Sequence, residues 1–196
     1  MVRRLLTSVV RSPVLYDAVQ WVFGNPGVLR RLEPHLAAIR RGAWMVDIGG
    51  GTGLSFTTGV RYVCVDLEPE KLRRFRQLKP AGMAIVGDAT RCPLRSGSVD
   101  AVLCAKMTHH LDDAELAAAY AECGRILKPG GTLIVVDALR TDRWIARLLW
   151  GIDRGAHPRS EDEMEAAIPS TFSITNTDRF RIGVLNDFVI YRLSLT

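Results

Sequence analysis

Several patterns that would mark particular classes of protein are missing from this sequence. No apolar run approaches the ~20 residues of a transmembrane helix. The cysteines at positions Cys64, Cys92, Cys104 and Cys123 include no C-x-x-C pair, which argues against a zinc site. Their scattered placement is typical of reduced, buried thiols, so we predict no metal centre and a reducing compartment.

The N-terminus lacks the features of a complete secretion signal. A basic pair precedes apolar residues, but Arg11 interrupts that stretch early and no small-residue cleavage site follows. We therefore expect a cytoplasmic protein with no transmembrane segment.

Acidic residues are scarce only in the first part of the chain. The 196 residues carry a net charge of +5, and residues 1–45 hold seven arginines and two acidic residues, which accounts for all of it. Such a segment faces nucleic acid, an anionic membrane or an acidic substrate, or it is the solvated side of amphipathic helices. The composition leaves these alternatives open.

The first 40 residues have helical spacing of apolar residues. A break is expected at Ser12-Pro13, a turn at residues 24–27, and a helix over Val28–Ile39 that is interrupted at Pro34. We assign residues 1–42 to an N-terminal helical cap that contributes to substrate binding, and residues 43–196 to the main domain.

Strands and helices alternate in that main domain. The predicted strands are Ala43–Ile48, Arg61–Asp66, Met83–Val86, Ser98–Ala105, Thr132–Asp137, Phe172–Asn176 and Asp187–Leu195; the predicted helices are Pro69–Leu78, Ala114–Leu127 and Glu161–Ile168. This alternation predicts an α/β fold, a mostly parallel sheet with helices on both faces. Ligands of such sheets bind outside the carboxyl ends of the strands.

The first strand runs into a glycine-rich turn. Residues 46–53 read V-D-I-G-G-G-T-G, with glycines at Gly49, Gly51 and Gly53 where the backbone needs unusual dihedral angles. A dinucleotide fingerprint requires glycine where Leu54 stands, and the lysine of a P-loop is missing. The turn therefore indicates a nucleoside-containing cofactor without a pyrophosphate.

Acidic residues end the next two strands. The carboxylate of Asp66 could accept hydrogen bonds from the two hydroxyls of a ribose, and Leu67 could cover one face of a purine. Asp88 suits an exocyclic amine, and the backbone N–H of Ala89 suits a ring nitrogen. Together with the glycine turn, these residues predict an adenosine site.

At this point the sequence resembles the class I S-adenosylmethionine-dependent methyltransferases, of the type 11, small-molecule branch. The matching stretches are VDIGGGTG (46–53), VCVDLEPEKL (63–72), IVGDATRCPLRSGSVDAVLC (85–104), MTHHL (107–111) and ILKPGGTLIVVD (126–137). The resemblance implies a Rossmann-like, seven-stranded sheet whose last strand is antiparallel, and S-adenosyl-L-methionine as cofactor. It places the methionine part and the ribose over the glycines, and adds Asp47 and the backbone of Lys106 to the cofactor site.

The sequence departs from this family after the glycine turn. Only Leu54–Thr58 precede Gly59 and the second strand, so we expect a helix of barely one turn and a shallower cofactor pocket.

Methyl transfer from a sulfonium is an in-line displacement that needs a base only if the acceptor must lose a proton. His109 and His110, just past the fourth strand, are the candidates for that base. The alternative is that one of them caps or packs against the following helix. Cys104 is interpreted as a core residue, and no carboxylate set suited to magnesium follows the strand.

Residues 1–40 and 138–170 remain to bind the acceptor. Tyr16, Trp21 and Trp144 favour an apolar or lipid-like molecule, although such aromatic stripes also serve core packing. Arg159 either grips an anionic group or is solvated. The favoured function is methylation of a small or lipid-like molecule. An RNA or protein methyltransferase that uses the basic segment, or a non-catalytic cofactor-binding module, is the alternative, and the sequence indicates no oligomeric state.

Overall fold

Seven strands form one sheet in the computed structural model, which describes residues 25–140, 157–182 and 186–196. The strands are β1 (Trp44–Ile48), β2 (Arg61–Asp66), β3 (Met83–Val86), β4 (Val99–Ala105), β5 (Leu127–Ala138), β6 (Phe172–Ile182) and β7 (Asn186–Leu195). Their spatial order is β3-β2-β1-β4-β5-β7-β6. Strands β1 to β5 pair in parallel, and β7 lies antiparallel between β5 and β6. The predicted α/β fold, with its antiparallel last strand, is confirmed.

The helices cover both faces of this sheet. They are α1 (Asn25–Ala37), α2 (Pro69–Leu78), α3 (Asp113–Ile126) and α4 (Glu161–Ala167), with a short 3₁₀ helix at Thr108–His110. On one face, α1 and α2 bury Leu32 and Phe75; on the other, α3 and α4 bury Tyr120 and Met164. Because successive side chains of a strand point to opposite faces, the central strands feed both cores.

The start of α3 follows directly from its sequence. The Asp112 side chain accepts a hydrogen bond from the backbone N–H of Glu115, and the Glu115 side chain accepts one from the backbone N–H of Asp112. This capping box satisfies two N–H groups that the first turn leaves unpaired. It fixes the point at which the chain leaves the 3₁₀ helix and enters α3.

The predictions for residues 25–39 were wrong in detail. Helix α1 already begins at Asn25, where a turn was expected, because Pro26 in the first turn needs no N–H partner. The helix also continues through Pro34. Buried Leu32 and Leu36 flank this proline, so packing against the sheet outweighs the lost hydrogen bond.

Two strands are longer than expected. Strand β5 begins at Leu127, which pairs with Val99 before a register irregularity, rather than at Thr132. The helix before it accordingly ends one residue earlier than predicted. Strand β6 extends to Ile182, and most of its residues beyond Phe172 are exposed or half-buried, so hydrophobic alternation could not reveal its length.

Helix α1 packs on the same sheet as the rest of the chain. The guanidinium of Arg192 on β7 donates to the backbone carbonyl of His35 at 3.1 Å. The division into a cap (1–42) and a main domain (43–196) stays a prediction, and residues 1–24 lie outside the described part. Among the described helices, none is long and apolar enough to cross a membrane.

Candidate active site

The glycine turn, residues 49–53, crosses the carboxyl ends of β1 and β2. The backbone N–H groups of Gly49 and Gly50 both donate to the carbonyl of Val65, at 2.8 and 3.3 Å. Gly49 has a φ of 72°, and a Cβ placed on it would lie 2.9 Å from the Cβ of Met107. Glycine is therefore required here both by the backbone conformation and by the close approach of the segment after β4.

No helix follows this turn, contrary to the sequence prediction. Residues 51–55 form successive turns, with the N–H of Gly53 bonded to the carbonyl of Gly50 and that of Phe56 bonded to the carbonyl of Gly53. The ring of Phe75 from α2 occupies the adjacent space, where a Cβ placed on Gly53 would collide with it. Helix α2 thus fills the position beside the turn, and the short segment packs against it.

Asp66 holds the glycine turn to the end of β2. Its Oδ2 accepts the backbone N–H of Gly51 at 2.9 Å, and its Oδ1 accepts the N–H of Glu68 at 2.8 Å. The residue is 7% exposed. Since a carboxylate oxygen has two acceptor sites, each oxygen retains one for a ligand hydroxyl. The sequence could indicate this residue but not its bond to Gly51.

Lys71 is a further residue at this place that sequence reasoning missed. It lies on α2, and its Cδ is 3.7 Å from a Cβ placed on Gly51. Its ammonium pairs with Glu68 at 2.7 Å. The lysine stem therefore runs beside the turn, close to the Asp66 carboxylate.

Asp47 lies beneath the turn rather than at its surface. The hydroxyl of Tyr62 donates to its Oδ2, while its buried Oδ1 has no hydrogen-bond partner within the described residues. Burial raises the pKa of Asp47 to about 7, against the opposing effect of the Tyr62 hydrogen bond, and the nearby charge of Asp66 adds to the rise. Its predicted contact with the cofactor stays a prediction.

The loop after β3 carries the residues predicted to read the adenine. Oδ1 of Asp88 accepts both the backbone N–H and the hydroxyl of Thr90 at 2.8 Å, and these bonds lower the pKa of the exposed carboxyl. Ala89 is half-buried. Leu67 is 66% exposed beside the end of β2, where it is accessible to an apolar ring.

A strained residue directly follows β4. Lys106 has a φ of 55°, the only positive value of a non-glycine residue in the described ranges, and its N–H donates to the carbonyl of Val136 at 2.7 Å. Such a conformation costs about 1–3 kcal/mol and persists only where neighbouring structure enforces it. The turn at Lys106 directs Met107 against the glycine turn.

The two candidate histidines differ in their environments. His109 is buried, and its Nδ1 lies 2.6 Å from Oδ1 of Asp137, which ends β5. His110 is exposed, with its ring 4.2 Å from that of His109. Sequence reasoning missed Asp137 as a partner, although it closes an apolar strand in the same way as Asp47 and Asp66.

Arg159 is not solvated. It is 6% exposed and donates to the carbonyls of Thr108 and Leu111 and to the carboxylate of Asp113. The backbone N–H of His157 also donates to the carbonyl of His109 at 3.1 Å. The segment at 157–159 thus closes over the loop that carries the histidines, and an anion-binding role for Arg159 stays untested.

A groove of about 680 Å³ lies between α3 and α4. Its lining includes Asp113, Leu116, Arg140, Pro158, Arg159 and Glu163. None of the residues predicted to bind the cofactor lines it, so the glycine turn remains the candidate cofactor position.

Three of the predicted acceptor-binding residues, Tyr16, Trp21 and Trp144, lie outside the described residues. The four cysteines are buried and free, and Cys104 is a core residue as predicted, with its sulfur 3.9 Å from that of Cys123. No group of three metal-ligating side chains occurs in the described ranges.

Comparison with known proteins agrees with this geometry. Residues 46–135 match the family described as "Methyltransferase domain". An uncharacterized methyltransferase of Mycobacterium tuberculosis is 39% identical over 128 residues, which cover 62% of this chain and 50% of that protein. Demethylmenaquinone methyltransferase of Beutenbergia cavernae is 30% identical over 118 residues, or 58% of this chain and 48% of that protein. The chain spans about half the length of these curated relatives.

A solved structure shares the fold. Geranyl diphosphate C-methyltransferase of Streptomyces coelicolor, in complex with Mg²⁺, geranyl-S-thiolodiphosphate and S-adenosyl-L-homocysteine, has a TM-score of 0.71 and 15% identity. The match covers 87% of this chain and 76% of that chain. Residues 46–135 therefore match a methyltransferase domain, and the described sheet shares its fold with a solved methyltransferase.

Proposed function

We propose that this protein transfers the methyl group of S-adenosyl-L-methionine to a small or lipid-like acceptor. The observation that carries the proposal is the Asp66 carboxylate, which is bonded to the backbone N–H of Gly51 and faces the glycine turn. A buried, fixed carboxylate beside a turn with positive φ angles matches the need of a ribose for paired acceptors.

The remaining cofactor contacts follow the ends of the strands. The glycine turn accommodates the methionine part and the ribose at close backbone distance, and the backbone at Lys106 borders the same space. Asp88 and Ala89 read the adenine edge, and exposed Leu67 covers one face of the ring. Asp47 supports the turn from below, where its bond from Tyr62 holds it.

The reaction requires only that the acceptor atom lie in line with the sulfonium methyl and that water be excluded. His109 is favoured over His110 as the base for an acceptor that must lose a proton, because His109 is buried and held by a carboxylate. The sulfonium itself supplies the leaving group, and no covalent enzyme intermediate is needed.

A lipid-like acceptor is supported by two observations. The predicted acceptor-binding residues Tyr16, Trp21 and Trp144 are aromatic. Two of the similar proteins act, by their names, on demethylmenaquinone and geranyl diphosphate, both of which carry isoprenoid chains. The basic N-terminal segment supports nucleic acid as the alternative partner, which the acceptor experiment below addresses.

Cofactor binding is tested by titration calorimetry with S-adenosyl-L-methionine and S-adenosyl-L-homocysteine. Asp66→Asn should weaken both by about 1–3 kcal/mol, roughly 5- to 150-fold, because it removes the charge from the bonds to the ribose. Asp178→Asn is the matched control, since Asp178 lies on the opposite edge strand and pairs with Arg31. Equal affinities for the wild type and Asp66→Asn would remove the ribose assignment.

The acceptor class is tested with methyl-labelled cofactor and three acceptors: an isoprenoid-substituted phenol, total tRNA and a mixed protein fraction. Label in the organic extract supports the proposal. Label in tRNA or protein that disappears at high salt would instead support the alternative use of the basic segment. Tight cofactor binding without transfer to any acceptor would favour a non-catalytic module.

A further inference from the structure

The strongest unassigned feature near the candidate site is the buried carboxylate of Asp137. It is 1% exposed and sits at the end of β5, beside the end of β4. Its Oδ1 lies 2.6 Å from Nδ1 of His109 and accepts from the N–H of Ala138; its Oδ2 accepts from the N–H and hydroxyl of Thr108 and from the N–H of His109. Both carboxylate oxygens are therefore fixed by several donors, and the side chain cannot reorient without breaking them.

We propose that Asp137 is a positioning residue that holds His109 in the tautomer with the proton on Nδ1, which leaves Nε2 as the proton acceptor during methyl transfer. This inference rests on the proposed function and adds a named partner to it. A carboxylate accepts but does not donate when ionised, so the imidazole nitrogen facing it must carry the proton. The neutral ring then has its lone pair on the other nitrogen.

Asp137 is in the charge state that this role requires. Burial by itself would raise the pKa of this carboxyl, but the positive charge of His109 in its protonated form, together with the hydrogen bonds from His109 and Thr108, outweighs burial and holds the pKa below its usual value. The carboxylate is thus ionised at neutral pH. It both orients the imidazole and stabilises the imidazolium that forms when Nε2 takes a proton, which is the division of roles in base–carboxylate pairs generally.

The position of the pair fits the reaction. Met107, two residues before His109, contacts the glycine turn at Gly49. The N–H of Lys106 bonds to Val136, the residue before Asp137. The histidine and its carboxylate therefore follow directly from the two strand ends that border the candidate cofactor site.

Other charged or titratable groups also surround His109. His110 lies beside it with the rings 4.2 Å apart, and Arg159 donates to the carbonyl of the preceding Thr108. Burial raises the pKa of Tyr120 on α3, and the nearby charge of Asp137 adds to that rise. The phenol of Tyr120 therefore stays neutral over the pH range in which an imidazole titrates. Asp137 is bonded directly to the imidazole, so its removal should change the titration of His109 strongly.

The test compares Asp137→Asn with Thr108→Val. The first removes the charge opposite Nδ1; the second removes one donor to Oδ2 and leaves the contact between His109 and Asp137 in place. We expect Asp137→Asn to lower kcat about 10-fold or more, with an unchanged KM for the cofactor. The acid limb of its pH–rate profile should move to lower pH, because the imidazolium loses its anionic partner. Thr108→Val should leave that limb in place.

Nitrogen-15 NMR of the histidine side chains tests the tautomer without any acceptor. The His109 signal, assigned with His109→Gln and His110→Gln, should show protonated Nδ1 and unprotonated Nε2 at pH 8. In Asp137→Asn the tautomers should mix and the titration midpoint should fall. A wild-type His109 protonated on Nε2, or the same shift of the pH limb in both variants, would overturn the proposal.

The outcomes separate this inference from the proposed function. A wild type that binds no cofactor, or transfers no methyl group, contradicts the proposed function, while the NMR spectra still decide which nitrogen carries the proton. Active wild type with an Asp137→Asn variant of unchanged kcat and pH profile contradicts only the role of Asp137. Thermal unfolding of each variant shows whether a loss of activity arises from a changed His109 tautomer or from unfolding of the protein.

Discussion

The buried carboxyl of Asp47 should make the stability of this protein depend on pH in an unusual direction. Its pKa is raised from 3.8 to about 7 in the folded chain. The native carboxyl keeps its proton up to about pH 7, while the unfolded one releases it near pH 4, so the native state binds more protons over that interval. The free energy of unfolding contributed by this group therefore falls as the pH rises from about 4 to 7.

The size of the effect follows from the shift. Three pKa units at about 1.4 kcal/mol each correspond to about 4 kcal/mol in total. Of this, about 2–3 kcal/mol falls between pH 5 and pH 8. Asp47→Asn removes the titration but retains an oxygen to accept the hydrogen bond of Tyr62. The variant should therefore gain stability relative to the wild type by that amount as the pH is raised.

Urea unfolding of both proteins at several pH values between 5 and 8 measures this difference. Titrating groups that do not interact with Asp47 contribute equally to the two proteins and cancel from this difference. Glu70→Gln, the exchange of an exposed carboxyl for an amide on the first turn of α2, is measured alongside as the control for the substitution itself. A constant difference between Asp47→Asn and the wild type across the range would refute the assignment of a neutral, buried Asp47 below pH 7.

Two further predictions concern the backbone around the site. A positive φ by itself costs an alanine about 1–2 kcal/mol. Gly49→Ala should lower the free energy of unfolding by more than this, because the new Cβ would also collide with Met107. Gly97→Ala is the control in the same urea unfolding assay, since Gly97 has a φ of 59° and no atom within 4 Å of the added Cβ. Equal losses of unfolding free energy in the two variants would show that the segment after β4 moves away from the new Cβ without cost. Asp112→Ala should cost about 1 kcal/mol in urea unfolding through loss of the capping box, and an unchanged midpoint would indicate that the first turn of α3 is held by packing alone.

The parts of the fold with strong local patterns were predictable. Strands β2 and β3 and helix α2 begin and end where the sequence indicated, since continuous apolar runs and Pro69 mark their limits. The positions of Asp66 and Asp88 at successive strand ends followed from the alternation of elements. What these carboxylates bond to within the chain did not, because hydrogen bonds between residues distant in sequence leave no periodic signal.

The errors share a physical cause, which is packing that overrides local preference. Helix α1 passes through Pro34 because the residues beside it are buried against the sheet. The helix expected after the glycine turn is absent from the described residues, and the ring of Phe75 packs beside the turn at Gly53. The solvated alternative for Arg159 was wrong, because its guanidinium is buried against two backbone carbonyls and the carboxylate of Asp113. The pairing of Asp137 with His109 joins residues whose separation in sequence gives no hint of contact.

Arg140 and Arg159 lie on either side of the stretch 141–156 and are bonded to each other. The N–H of Arg140 bonds to the carbonyl of Arg159 at 2.7 Å, and the buried guanidinium of Arg159 anchors that junction to the start of α3. A segment whose two ends are held together in this way tolerates changes in length and composition, because the fold depends on the positions of those ends. The stretch between Arg140 and Arg159 can therefore vary in length and composition while the strand ends that carry the glycine turn and Asp66 stay in place.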